Sequence, residues 1–340
     1  MKNILPLLVL FMLFTACEQE ELALPAPANS QQTVLVTDSS SNDLLIARGQ
    51  SVINTLNMGS DYARQLWFDL GTNSIQATND RLSWDLAFSS NTNQSYVYLN
   101  TANVASAARS TETNFAALTS DAGLSYAYDV SSGNADSLAI GDEWDTNVIW
   151  VVDRGFSPNG SRLGKWKVKL LSNTTNSYTF EFGSLQDTQA RRVTFSKSPF
   201  KARIAFSLAD AKTVEVEPNK NEFDLCFTQY THLFYEPNLT PYSVNGVLLN
   251  PYRTEALEVK GRNYEGIDLA YAENQFFSNQ IDLIGYDWKS FDFGTNTYQI
   301  DQSRVYLIKD ATSNYYKLRF LDFYDDNGVK GATSFEFQRL

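Results

Sequence analysis

The chain has 340 residues, with 27 basic and 39 acidic side chains, a net charge of −12, one histidine and two cysteines. So acidic a balance repels nucleic acid and anionic head groups, and one histidine with two cysteines supplies neither a structural zinc site nor a disulfide framework. Stability has to come from packing, for which 22 Phe, 18 Tyr and 6 Trp provide the surface.

In chain order, Lys2 precedes an apolar run from Ile4 to Phe14, followed by Thr15-Ala16-Cys17. A cationic start, about 7–15 apolar residues and then small residues make an export signal, too short for a permanent spanning helix. Cys17 after Thr-Ala looks like a bacterial lipoprotein box, with Phe14 where leucine is commonest. Residues 1–16 are therefore expected to be a signal peptide and Cys17 the lipidated first mature residue. Glu18-Gln19-Glu20-Glu21 resembles the acidic tract that routes some lipoproteins to the cell surface. The expectation is an outer-membrane, surface-exposed protein whose acyl chains are its only membrane attachment. Residues 17–33 lack apolar periodicity and read as a flexible tether.

From residue 34 to 340 the pattern is all-β. In Lys165–Leu170, Trp166, Val168 and Leu170 share one face and three lysines the other; Tyr178, Phe180 and Phe182 alternate with Thr179 and Glu181. These read as a hairpin with one buried and one wet face. Val193 and Phe195 repeat the pattern, as do Tyr316, Leu318 and Phe320 opposite Lys317 and Arg319. Asp326-Asn327-Gly328 supplies a turn, and Phe335 and Phe337 mark a final strand. Helical periodicity is confined to Gly266–Phe277. Antiparallel sheets, as a sandwich or flattened barrel of roughly fifteen strands with minor helix, follow from these periods. The chain also echoes itself. Phe68–Ala77 (FDLGTNSIQA) matches Phe291–Ile300 (FDFGTNTYQI), and Phe68-x-Leu70 with Trp84-Asp85-Leu86-x-Phe88 matches Phe206-x-Leu208 with Phe223-Asp224-Leu225-x-Phe227. Either two β-halves (34–198 and 199–340) are duplicated, or one turn chemistry is reused.

Enzyme templates fail on inventory, so no catalytic residue is assigned and the chain is read as a binder. No Gly-x-Ser-x-Gly elbow exists, and Gly160-x-x-x-Gly164-Lys165 is one residue short of a phosphate loop and precedes a strand. Carboxylate pairs are too common in acidic chains to indicate a glycosidase. Asp322-x-x-Asp325-Asp326-Asn327-Gly328 lacks the alternate ligand spacing of a calcium loop and reads as a turn. Cys226, in an apolar run, reads as a small buried hydrophobe. Trp67, Trp144, Trp150 and Trp288 are either core residues or, in a glycan-binding alternative, a stacking platform. His232 lies in Phe227–Pro237 (FTQYTHLFYEP); on a strand, Cys226, Thr228, Tyr230, His232 and Phe234 share a face. Its imidazole is either structural or an axial ligand for haem iron, for which Met58 and Tyr230 are the other candidate ligands.

The order of these motifs resembles HmuY-like surface lipoproteins. It runs from lipobox and Phe-Asp-Leu-Gly-Thr through Ser83-Trp84-Asp85-Leu86-Ala87-Phe88 to Arg304–Ile308, Tyr315–Phe320, Phe323-Tyr324, Asp326-Asn327-Gly328 and the closing Phe-Glu-Phe. The resemblance is best at 66–90 and 287–340. It implies an all-β protein that captures haem or another porphyrin outside the cell and passes it to an outer-membrane receptor. The family's paired His or paired Met ligands do not carry over, since one histidine and one mature methionine are present. A glycan-, peptide- or protein-binding surface module of the same fold is the alternative.

Overall fold

Alternating runs cut by turn residues fold into twenty-one strands among the described residues, paired antiparallel throughout, with 44% strand and 6% helix. The structure, a computed structural model, describes residues 45–252 and 254–340. The signal peptide, Cys17 and the tether lie outside the described residues. The strands come in four blocks. The first holds β1 (Ser51–Asn57), β2 (Arg64–Asp69) and β3 (Ser74–Asp80). The second holds β4 (Leu86–Ser89), β5 (Val97–Leu99), β6 (Ser106–Arg109), β7 (Tyr126–Ala127), β8 (Trp150–Asp153), β9 (Lys165–Asn173) and β10 (Ser177–Ser184). The third holds β11 (Arg191–Ser196), β12 (Arg203–Ser207) and β13 (Lys212–Val214). The fourth holds β14 (Leu225–Phe234), β15 (Thr240–Leu249), β16 (Glu255–Val259), α1 (Leu269–Glu273), β17 (Lys289–Asp292), β18 (Thr297–Ile300), β19 (Val305–Lys309), β20 (Tyr315–Tyr324) and β21 (Lys330–Arg339).

The expected fifteen strands become twenty-one because pieces such as β5, β7 and β13, two or three residues long, are too short to show a period. No barrel closes. The helix expected over 266–277 contracts to α1, started by the Asp268 carboxylate accepting from Tyr271 N–H at 2.8 Å.

Pairing crosses the blocks and produces two lobes. Lobe one is continuous in sequence: β4 to β13 build the sheets β11-β10-β9-β8-β6-β7 and β13-β12-β4-β5. Lobe two joins the chain's beginning to its end in the sheets β1-β21-β20-β19-β16, β15-β14-β2-β3 and β17-β18. A cut at 198/199 falls between β11 and β12, whose sheets both belong to lobe one. Each lobe has its own core, around Phe68, Phe227, Trp288, Phe320 and Phe335 in lobe two and Phe88, Phe180, Phe182 and Phe206 in lobe one.

The sequence echoes mark equivalent places. In lobe two, Asp224 N–H donates to Phe68 O and Leu70 N–H donates to Asp224 Oδ2, both at 2.9 Å. In lobe one, Asp85 N–H donates to Phe206 O at 2.9 Å and Leu208 N–H to Asp85 Oδ2 at 2.7 Å. Each Phe-x-Leu of one copy is thus tied to the Asp-Leu-x-Phe of the other. Asn100 and Asn250 finish the match, each sending its Nδ2 to two loop carbonyls before the strand. The Phe-Asp-x-Gly-Thr-Asn turns also agree in detail. Asp69 Oδ1 accepts from Gly71 N–H at 2.7 Å and Asp292 Oδ1 from Gly294 N–H at 2.8 Å. Asn73 and Asn296 sit at φ 54° and 57°, which Asn tolerates.

One sequence expectation is corrected. Lys167 and Lys317, placed on the wet faces by alternation, are buried. Lys167 Nζ donates to the carbonyls of Phe115, Leu118 and Asp187 at 2.7, 2.9 and 2.6 Å. Lys317 Nζ donates to those of Tyr264 and Ile267 at 2.9 and 3.0 Å. Loops cover both sheets on their outer side, and the ammonium groups satisfy the loop backbone.

Candidate functional site

β14 and β15 pair over ten residues, from Leu225↔Leu249 to Phe234↔Thr240, yet β2 covers β14 only at Leu225–Phe227. The outer seven residues of β14 therefore stand with β15 as a two-stranded arm. Thr231 Oγ1 steadies it by donating to Thr101 O of lobe one at 2.7 Å. Phe234, Tyr235, Leu239 and Tyr242 at its end are 41, 64, 51 and 58% exposed.

His232 is half-buried in this arm, opposite Tyr242 in register. Its ring centroid is 4.9 Å from that of Phe234, nearly edge-on, and 5.1 Å from that of Tyr286, tilted. Tyr286 comes from a distant segment, and glycine explains how it reaches the arm. Val247 and Gly285 exchange backbone hydrogen bonds at 2.9 and 3.1 Å. A Cβ on Gly246 would lie 2.2 Å from Gly285 O, so only glycine admits the approach. Phe234, Tyr235 and Tyr242 thus expose aromatic surface beside one imidazole, a patch of the kind through which proteins bind ligands. The imidazole can ligate iron, and the rings can lie against an apolar planar group. Sequence reasoning found His232 and Phe234; it missed Tyr242 and Tyr286, which only register and the glycine approach bring in.

The sequence model of the HmuY protein family matches residues 61–337. The chain belongs to the HmuY family. No curated protein matches it. Among solved structures it is similar to apo PinO from Porphyromonas gingivitis, at 10% identity over 86% of this chain and 98% of that one, with a TM-score of 0.32. The apo HmuY analog TFO of Tannerella forsythia matches at 11% identity over 86% and 97%, TM-score 0.26. An HmuY-like heme binding protein of Bacteroides vulgatus ATCC 8482 matches at 12% identity over 87% and 97%, TM-score 0.23.

This HmuY-family chain keeps its other candidate residues inside. Met58, 1% exposed, packs in the lobe-two core and donates its N–H to Gly331 O at 2.9 Å. Tyr230 is also 1% exposed, its hydroxyl lies against Gly285, and burial pushes its pKa up, reinforced by Asp282. Neither reaches the surface His232 occupies. Trp67, Trp150 and Trp288 are buried, and Trp144 stacks on Tyr178 at 5.1 Å while donating to Ser95 O. The tryptophan sugar platform is therefore absent from these four positions. Cys226 is buried against Trp67 and Phe223, and burial raises its thiol pKa well above the usual range. Asp325 Oδ1 accepts from Asn327 and Val329 N–H at 2.9 and 2.8 Å, the hairpin turn expected there. Among the described residues no group of three His, Cys, Asp or Glu side chains is placed to hold a metal ion.

Proposed function

We propose that this HmuY-family chain is a surface lipoprotein that binds haem or another porphyrin on its aromatic arm and performs no bond-breaking of its own. The observation carrying this reading is the one imidazole of the chain set among Phe234, Tyr242 and Tyr286 near the exposed end of a long hairpin. His232 would supply the protein's nitrogen to the iron, and the three rings would bear on the macrocycle faces or edges. With Met58 and Tyr230 interior, neither of those two candidate ligands joins it. Membership of the family agrees with that ligand class. An acyl anchor on Cys17 would hold the arm outside the cell, within reach of an outer-membrane receptor.

Titration of ferric haem into the purified protein is expected to shift the Soret band, and His232→Ala to abolish the shift. Iron-free protoporphyrin should still quench fluorescence in His232→Ala, because stacking does not need the metal. No spectral change at stoichiometric haem refutes the reading. Palmitate labelling of the wild type, lost in Cys17→Ser, tests the anchor separately.

A further inference from the structure

The two lobes meet around a cavity of ≈ 80 Å³ walled by Trp67, Trp84 and Tyr98. That volume suits a handful of waters or one small organic ion. Its polar wall is where the duplicated copies differ. Gln65 and Asn79 stand three residues before and eleven after Phe68; Arg203 and Glu217 hold the same places around Phe206. The neutral pair is fully engaged. Asn79 Nδ2 and Trp84 Nε1 donate to Gln65 Oε1 at 2.8 and 3.0 Å, Gln65 Nε2 donates to Thr228 Oγ1 at 2.9 Å, and Trp67 Nε1 donates to Asn79 Oδ1 at 2.8 Å.

The charged pair is not. Arg203 Nε donates to Glu217 Oε1 at 2.6 Å, while Glu217 Oε2 is buried with no partner on a residue 9% exposed. Gln229 Oε1, from the same wall, is also buried without a partner. Two orphan acceptors beside one cavity call for a donor. A second carboxylate, Asp129, borders the space with both oxygens taken by Leu99 and Ala139 N–H. Burial lifts its pKa to about 6. Two carboxyl groups and one guanidinium thus line this wall.

We propose that this cavity between the lobes binds a small alkylammonium ion. Its N–H groups meet Glu217 Oε2 and Gln229 Oε1, and its charge sits among the faces of Trp67, Trp84 and Tyr98. The site uses Thr228 and Gln229 of the arm but none of His232, Phe234, Tyr242 or Tyr286, and it does not depend on porphyrin binding.

Methylammonium chloride titrated into the purified protein, against matched sodium chloride, is expected to give saturable heat and a change in tryptophan fluorescence. Tetramethylammonium, which carries the charge without N–H donors, should give neither. Arg203→Gln with Glu217→Asn copies the neutral pair of the sister site, so the fold has a precedent within this chain, and affinity should fall at least about tenfold. Gln229→Met breaks no existing bond and should weaken binding in the same direction, so it decides the matter if the double variant fails to fold. Absence of saturable signal beyond the sodium control, equal binding of tetramethylammonium, or undiminished affinity in the folded variants overturns the proposal.

Discussion

Lys167→Met tests whether buried ammonium groups hold the loops over the outer sheet faces. The side chain is fully buried and gives its protons to three carbonyls, with the Phe115 ring 4.3 Å from Nζ. Hydrogen bonds from a charged donor contribute about 1.5–3 kcal/mol each, and acceptors left buried and unmet add to the loss. Removing the charge returns a burial cost of several kcal/mol. The difference leaves a net loss of about 3 kcal/mol. Methionine nearly conserves the volume, so packing adds little to that figure. Lys317→Met, with two carbonyls, should lose less, about 2 kcal/mol. Lys169→Met, half-exposed on the same strand, should stay within about 0.5 kcal/mol. Urea denaturation followed by tryptophan fluorescence measures all three. A loss at Lys167 no larger than at Lys169 refutes the idea that these carbonyls are tied by the ammonium.

Arg154→Met should cost about 3–5 kcal/mol, because Asp85 would be left as an uncompensated buried charge once its 2.6 Å partner is gone; denaturation midpoints read it. Asp224→Asn should do the reverse at neutral pH. Burial first, then the neighbouring Asp69 charge, raises the Asp224 pKa well above the usual carboxylate value, so the folded state holds a proton that the unfolded chain releases. That stabilisation is present in acid and is lost as pH rises through the folded pKa. Asparagine keeps an acceptor for Leu70 N–H and offers a donor to Asp69, so stability against pH should flatten and exceed wild type above neutrality; an unchanged profile refutes the raised Asp224 pKa. Phe234→Ser with Tyr242→Ser should leave stability within about 0.5 kcal/mol while cutting porphyrin affinity at least about tenfold; equal haem titrations in wild type and variant would remove the arm from the site.

Much of the fold is legible where one face of a strand is buried and the other wet, as in β10 and β21, whose inward phenylalanines read at period two. Alternation fails at Lys167 and Lys317 because the covering carbonyls come from residues 115–118 and 264–267, which no local window joins to them. The repeated Phe-Asp-x-Gly-Thr-Asn turns are legible because Asp, Gly and Asn each answer a backbone demand. The crossing of the two copies is not, since pairing β2 with β14 and β12 with β4 depends on contacts distant in sequence. At the site, His232 stands out by being the only imidazole. Tyr286 does not, because its place follows from the Gly246–Gly285 approach across some forty residues.

Where the two copies agree, they share structural chemistry: the Asp-to-Leu N–H tie, the Asn clamp on loop carbonyls, the buried lysine under a loop. Where they diverge, structure alone gives no reason. β4 and β5 pair over three positions, from Leu86↔Leu99 to Phe88↔Val97, while their counterparts β14 and β15 run to ten and end in exposed aromatics. Gln65 and Asn79 close their own hydrogen bonds, while Arg203 and Glu217 leave an oxygen unmet. A fold that is stable with a short hairpin and a neutral pair gains no packing from exposed aromatics at a hairpin end or from an orphan carboxylate. Both divergences put polar or aromatic groups where solvent or a cavity meets them, at a cost in desolvation or exposed apolar surface. On the two readings proposed above, the arm and the space between the lobes are where ligands bind, and the shared features hold them in place.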